Sequence, residues 1–368
     1  MCSIAPPPPT GAERADALLE RIFSSVLATF DIYAISLGDR LGYYRALQQH
    51  GPQNAAELAA LTGTNQRYTR EWLEQQATTG ILDVAASAES DDDRVYALSP
   101  EFWPVLTEVG NPSYGVPMAR LATGAAAPFD LLVEAFRSGA GVPYEDYGID
   151  LLEGQGEMNR PQFQHFLGSW VTAMPDVEQV LNDASRPARI ADIGMGTGWS
   201  SIAFAKAFPD AIVDGYDLDE ASVVAANRNA AAEGVADRVT FHHRDAGAPD
   251  LAGKYDLATA FECIHDMWDP VSVLASMRRL VGPGGTVLVM DERVADQFGA
   301  IGDDVERFMY GFSFLHCLPV GMVKQPSAGT GTVMRSSTFK RYAKEAGFSN
   351  VDILPIENDF FNFYRLTP

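Results

Sequence analysis

Three cysteines in 368 residues are too few for a disulfide framework. They stand far apart, at Cys2, Cys263 and Cys317, and no C-x-x-C pair points to zinc. Basic residues are scarce as well. Only 27 Lys and Arg face 49 Asp and Glu, a formal net charge of −22. Binding nucleic acid means neutralising phosphates with cations, so this balance predicts no nucleic-acid partner and good solubility. No apolar run reaches the roughly 20 residues that span a bilayer, which predicts no membrane partner. The opening Met-Cys-Ser-Ile-Ala-Pro-Pro-Pro-Pro-Thr lacks the charged-then-apolar layout of a secretory signal. Together these absences predict a cytoplasmic protein with reduced thiols. What is present, 46% hydrophobic and 21% charged residues, suits a globular chain long enough for two domains.

Glycine is where the sequence is most specific. In Asp192-Ile-Gly-Met-Gly-Thr-Gly198 a buried strand, Ala188 to Ile193, runs into Gly194, Gly196 and Gly198. A helix then opens near Trp199 and runs to Phe208. Alternate glycines let the backbone turn tightly and let a ligand approach where a Cβ would clash. The new helix offers unpaired N–H groups beside that ligand. The spacing departs from the dinucleotide G-x-G-x-x-G, and Asp192 precedes the first glycine. A carboxylate there repels a pyrophosphate but pairs with an ammonium group, so the ligand it suits is S-adenosylmethionine rather than NAD.

The segments that follow repeat one plan. Ala211–Tyr216 reads as a second strand with Asp217 at its end, where an acid holds ribose hydroxyls in Rossmann-type sheets. Val239–His243 is a third, followed by Asp245, an acceptor for an adenine amino group, and by Ala246, whose N–H can donate to the ring. Tyr255–Phe261 and Thr286–Met290 are a fourth and a fifth, the latter introduced by Gly-Pro-Gly-Gly285. Helical segments (Ala221 to Gly234, Val271 to Leu280) alternate with them. This predicts an α/β fold with a Rossmann-like, doubly wound, mainly parallel sheet. Asp192, Asp217, Asp245, Glu262 and Asp291 all fall at or near the strand ends where such sheets bind ligands.

The front of the chain reads differently. Ala15 to Leu47 has a helical apolar pattern, and Asn54 with Glu57 forms a capping-box arrangement before a short helix. A second helix spans Asn65 to Ala77. Ile81–Val84 and Arg94–Leu98 then flank an acidic loop, Glu89-Ser-Asp-Asp-Asp93. Helix, turn, helix and hairpin make an N-terminal α-helical winged-helix domain. Its second helix carries Arg67 and Arg70 but also Glu71 and Glu74, and the acidic wing would repel phosphates, so packing or dimerisation is expected rather than DNA reading. The predicted divisions are a flexible N-terminus (1–13), a winged-helix dimerisation domain (14–100), a helical connector roofing the active site (101–183) and the Rossmann-like domain (184–368). Tyr144, Tyr147, Phe166 and Trp170 of the connector are candidates to cover cofactor or substrate, with ordinary helix packing as the alternative.

Residues 186 to 365 resemble a class I S-adenosylmethionine-dependent methyltransferase domain. The marks are Asp192-x-Gly-x-Gly-x-Gly198, Asp217, Asp245 and the Gly-Pro-Gly-Gly turn. With the winged helix in front, the order is similar to small-molecule O-methyltransferases, and the resemblance implies a homodimer formed through the N-terminal domain. Phe261-Glu-Cys-Ile-His-Asp-Met-Trp-Asp-Pro270 resembles that family's His-Asp-Trp-x-Asp segment, which implies His265 as general base. It also implies two orienting acids. Asp291 stands at one position and Met334 at the other, so the second is missing. Glu262 is a candidate to compensate, or to hold the cofactor's methionine end. His316, in the aromatic stretch Phe308–Pro319, is a rival base on an apolar wall, with Tyr310 and Phe314 spaced to share its helical face. The absence of an Asn-Pro-Pro-Tyr-like motif disfavours a DNA base or a glutamine amide. The expected partner is a small hydrophobic or aromatic acceptor, methylated on oxygen. Two alternatives stay open: a non-methyl-transfer reaction on the same scaffold, and a winged-helix regulator.

Overall fold

A computed structural model describes residues 11–86 and 90–368. The tip residue Glu89, Cys2 and residues 1–10 of the segment assigned to a flexible N-terminus lie outside the described residues. Two compact units divide at Thr123 and Gly124. The segment read as one connector, 101–183, is therefore split, with 101–123 belonging to the first unit.

In the first unit a helix starts at Gly11, within the stretch assigned to the flexible N-terminus, and runs to Arg40. The pattern read as one helix to Leu47 is broken at Gly42, which is left-handed (φ 73°), and a second helix spans Tyr43–His50. The capping box forms. Asn54 Oδ1 accepts from the Glu57 N–H at 3.0 Å and Glu57 Oε2 accepts from the Asn54 N–H at 2.9 Å, opening helix Ala55–Thr62. Asn65 caps helix Gln66–Thr78. Strands β1 (Asp83–Ala86) and β2 (Val95–Ala97) pair antiparallel as the wing. The core gathers Tyr43, Tyr44, Leu58, Leu73, Tyr96 and Trp72, whose ring lies 4.7 Å from that of Tyr43. Along helix Gly11–Arg40, Leu18, Leu19, Ile22, Phe23, Val26, Leu27 and Phe30 are 41–67% exposed.

The second unit is built on a seven-stranded sheet: β3 (Arg189–Ile193), β4 (Ile212–Asp217), β5 (Val239–His243), β6 (Leu257–Phe261), β7 (Thr286–Glu292), β8 (Asn350–Ile353) and β9 (Phe361–Thr367). Their order is β5-β4-β3-β6-β7-β9-β8. The first five are parallel, and β9 lies antiparallel between β7 and β8. Buried apolar runs such as Leu257–Phe261 form the central strands because helices cover both faces. Strands β8 and β9 were not read from the sequence. β8 has four residues, β9 is interrupted by Asn362 and Arg365, and neither carries a long apolar run. Their consequence is large. The apolar run of β7 ends at Met290, but pairing of Asp291 with Asn362 and of Glu292 with Phe361 carries the strand two residues further. Helix Gly148–Thr172 packs Phe163, Leu167 and Trp170 into the core, with the Trp170 ring 4.8 Å from Phe363. Among the described residues no helix is long and apolar enough to cross a membrane.

Candidate active site

Strand order reverses between β3 and β6, and the crevice outside their carboxyl ends is where such sheets bind ligands. The three glycines after β3 divide the work there. A Cβ at Gly194 (φ 64°) would stand 2.7 Å from Cys263 Sγ, and one at Gly198 (φ 84°) would stand 2.8 Å from Phe241. At these two positions protein atoms already fill the space a side chain would take. Gly196 (φ 51°) alone faces open space, with nothing within 4 Å of an added Cβ. Its N–H donates to Asp217 Oδ2 at 2.9 Å. Burial pushes the Asp217 carboxyl up to about 6, against the hydrogen bonds it accepts from backbone. A groove of about 660 Å³ passes outside the ends of β4 and β5, lined by Leu218, Asp219 and His243 among others. Asp245, just past β5, accepts from the Gly247 N–H at 2.8 Å and is half-buried, as is Ala246.

Asp192 has partners within the protein. It is 1% exposed, and its carboxylate is taken by three hydroxyls: Thr259 on Oδ1 at 2.8 Å, and Ser200 and Ser201 on Oδ2 at 2.6 Å each. It ties β3 to the helix Trp199–Ala207 and to β6. The sequence could not separate this tie from a ligand contact, because both need an acid at a strand end.

His265 sits in a short 3-10 turn, Ile264–Asp266, directly after β6. Asp291 Oδ1 lies 2.9 Å from its Nδ1, and Glu292 Oε2 lies 2.7 Å from the same atom. All three side chains are buried. Burial opposes a charged imidazole, but the charges of Glu292 and Asp291 outweigh it and hold His265 well above the ordinary histidine value. Burial also works against the Asp291 carboxylate, yet His265 holds it below the usual range. Glu292 is driven well above the usual carboxyl range by burial, with Asp291 adding to this and His265 opposing it. Met334 is buried in an apolar cluster with Ile264 and Tyr364, so no acid reaches His265 from there. Glu292 is the residue missed in the sequence, because the apolar strand pattern stops at Met290.

Glu262 does not fill the vacancy. Among the described residues it is the one non-glycine at positive φ (54°). Its oxygens accept from Gln155 at 3.2 Å and Gln162 at 3.1 Å, both on helix Gly148–Thr172, another pair that sequence pattern does not reveal. Such strain marks a side chain held where the surroundings require it. Burial raises Glu262 to about 7 and Asp266 likewise to about 7, with the His265 charge opposing both.

His316 lies in a π-helical turn, Ser313–Cys317, a feature frequent at functional sites. The wider turn swings His316 inward while Tyr310 and Phe314 remain partly exposed, so the three do not share one buried face. Its ring meets the edges of Tyr147 at 4.7 Å and Tyr144 at 5.5 Å, and its Nδ1 lies 3.5 Å from Cys317 Sγ. Burial, reinforced by the His265 charge, lowers its pKa to about 3. Among the described residues no carboxylate is hydrogen-bonded to it, and its Nε2 has no partner. The Tyr147 hydroxyl donates to Leu315 O at 2.8 Å, tying the turn Tyr144–Tyr147 to this wall. Of the four candidate covering aromatics, Tyr144 and Tyr147 reach the site, Trp170 is core, and Phe166 is 48% exposed. Compact His/Cys/Asp/Glu groups among the described residues are His265–Asp266–Cys317 and His265–Asp291–Glu292.

Residues 190–285 match the family model described as methyltransferase domain, and residues 30–108 match the Rv2258c-like winged HTH domain. A 106-residue stretch is 33% identical to part of polyketide synthase ThaQ of Burkholderia thailandensis, 29% of this chain and 5% of that protein. Ubiquinone biosynthesis O-methyltransferase of Aromatoleum aromaticum is 29% identical over 172 residues, 45% of this chain and 66% of the relative. The chain thus spans less than two thirds of these relatives. Human N-acetylserotonin methyltransferase, solved in complex with SAM, superposes with a TM-score of 0.64 at 18% identity, covering 98% of this chain and 99% of that one. At that identity the likeness carries the fold, which is shared along nearly the whole length. The chain therefore carries a methyltransferase domain on a class I-type sheet, preceded by an Rv2258c-like winged helix-turn-helix domain.

Proposed function

We propose that this chain transfers a methyl group from S-adenosylmethionine to a hydroxyl oxygen of a small, hydrophobic or aromatic acceptor. The observation that carries the reading is His265, buried after β6 with Nδ1 against Asp291, while Gly196 after the neighbouring strand β3 faces open space. Asp217 would take the ribose hydroxyls, Asp245 and the Ala246 N–H the adenine, and Glu262 the ammonium of the methionine end. When bound, the cofactor supplies an electrophilic methyl group on a sulfonium. His265, with Nδ1 committed to Asp291, has Nε2 left to take the acceptor's proton, and the carboxylates stabilise the imidazolium that results. Tyr144, Tyr147 and neutral His316 offer an aromatic wall for the acceptor.

The winged unit would serve a cytoplasmic homodimer. Its apolar helix Gly11–Arg40 supports this, as do the ion pairs made from helix Gln66–Thr78: Arg67 with Glu71 at 2.5 Å and Arg70 with Asp92 at 2.9 Å. Arginines so engaged are ill placed to meet phosphates.

Calorimetry tests the cofactor reading. S-adenosylhomocysteine should bind in the micromolar range and NAD should not, and Gly196→Val should abolish binding by filling the open space. Unchanged affinity in that variant would remove the basis of the reading. Formation of S-adenosylhomocysteine in step with a methylated hydroxyl compound separates methyl transfer from another use of the scaffold.

A further inference from the structure

We infer that Glu292 is a second positioning residue for His265: with Asp291 it brackets Nδ1, and it supplies from strand β7 the acid that the chain lacks at Met334. The inference rests on the methyl-transfer reading only for what the base then does. An Nδ1 bears one hydrogen, and Asp291 Oδ1 is aligned to accept it. Glu292 Oε2 is nearer, at 2.7 Å, yet makes no aligned hydrogen bond. Its effect on the ring is therefore through charge and through the space it fills. Two carboxyl groups and an imidazole in a fully buried cluster share fewer protons than sites. A proton arriving at Nε2 is stabilised by whichever carboxylate is ionised, and the ring is clamped between both.

The placement depends on an element far away in sequence. Glu292 is the last residue of β7 and is held in strand geometry by pairing with Phe361 of β9. Without that pairing the chain would leave the sheet after Met290, and Glu292 would lie in a loop. The other titratable groups around His265 are Asp266 on its own turn, Glu262 at the end of β6, and Cys317 and His316 on the π-helical turn. Asp266 and Cys317 bring a polar atom within 4.8 Å of a His265 ring nitrogen, but the groups in salt-bridge contact with Nδ1 among the described residues are Asp291 and Glu292, so removing the Glu292 carboxyl should be felt at His265.

Histidine-ring NMR on the full-length protein tests this without an acceptor, with the His265 resonance assigned by its loss in His265→Ala. In the unsubstituted protein His265 should titrate above the ordinary value of about 6.5. Glu292→Gln keeps the shape and removes the ionisable carboxyl, and its His265 midpoint should fall by about one unit or more, a tenfold change in proton affinity. Glu292→Asp should recover part of the shift. Once an acceptor is known, the acid limb of the pH–rate profile should move down by the same amount in Glu292→Gln, and the alkaline plateau should drop because the base is weaker. A purely structural role would lower the melting temperature and leave the acid limb in place. An unchanged His265 midpoint in Glu292→Gln overturns the inference and leaves Asp291 as sole orienter. Failure to bind S-adenosylhomocysteine would sink the methyl-transfer reading instead, without touching the titration.

Discussion

Two histidines offer themselves as base, and their surroundings separate them. His265 has carboxylates that favour its charged form, whereas His316 has burial and the His265 charge that disfavour it. Replacing His265 by Ala should lower turnover by about 10²–10⁴-fold while S-adenosylhomocysteine affinity stays nearly intact. Asp291→Asn should cost less, since the base remains. Full activity in His265→Ala with loss in His316→Ala would move the base to the π-helical turn. Asp217 carries a pH prediction. Its carboxylate must be ionised to accept from a ribose diol, and burial raises its pKa to about 6. Affinity for S-adenosylhomocysteine should therefore be constant above that pH and decline as pH falls through it. Calorimetry across pH 5 to 8 reads this, and Asp217→Asn should bind weakly with little dependence on pH. A rise in affinity on acidification would contradict the role.

The glycine-rich turn shows how one motif serves packing and binding together. Gly198→Ala places a methyl 2.8 Å from Phe241 at a φ that side chains avoid, so it should destabilise the fold by about 1–3 kcal/mol in denaturant titrations. Gly196→Ala has open space around it and should cost less stability and more cofactor affinity. Asp192→Ala removes the acceptor of three buried hydroxyls and should destabilise by about 1–3 kcal/mol. If it left stability intact and abolished cofactor binding alone, the ammonium role expected for it would stand. The motif's existence, its strand and its helix were legible in sequence. Which glycine faces open space was not, because that depends on Cys263 and Phe241, which lie 69 and 43 positions from Gly194 and Gly198 and are brought alongside only by β6 and β5.

The helix Gly11–Arg40 presents a long apolar face, larger than a monomer ordinarily leaves to water. Sedimentation at micromolar concentration should give about twice the monomer mass, as dimers of this kind bury extensive surface. Leu19→Glu with Phe23→Glu should shift the population to monomer with helix content retained. A monomer in the unsubstituted protein would assign this face to another partner. Local chemistry decided much of the molecule in advance. Apolar runs bounded by glycine fixed five parallel strands, the capping box at Asn54 fixed a helix start, and acids recurring at strand ends marked the crevice. These signals are short-range, so the sequence alone determined them. Tertiary structure decided the rest: that β9 lengthens β7 and brings Glu292 to His265, that hydroxyls from two other elements claim Asp192, and that an extra residue in a helical turn buries His316. Each depends on residues distant along the chain meeting in space, a contact that no local pattern encodes.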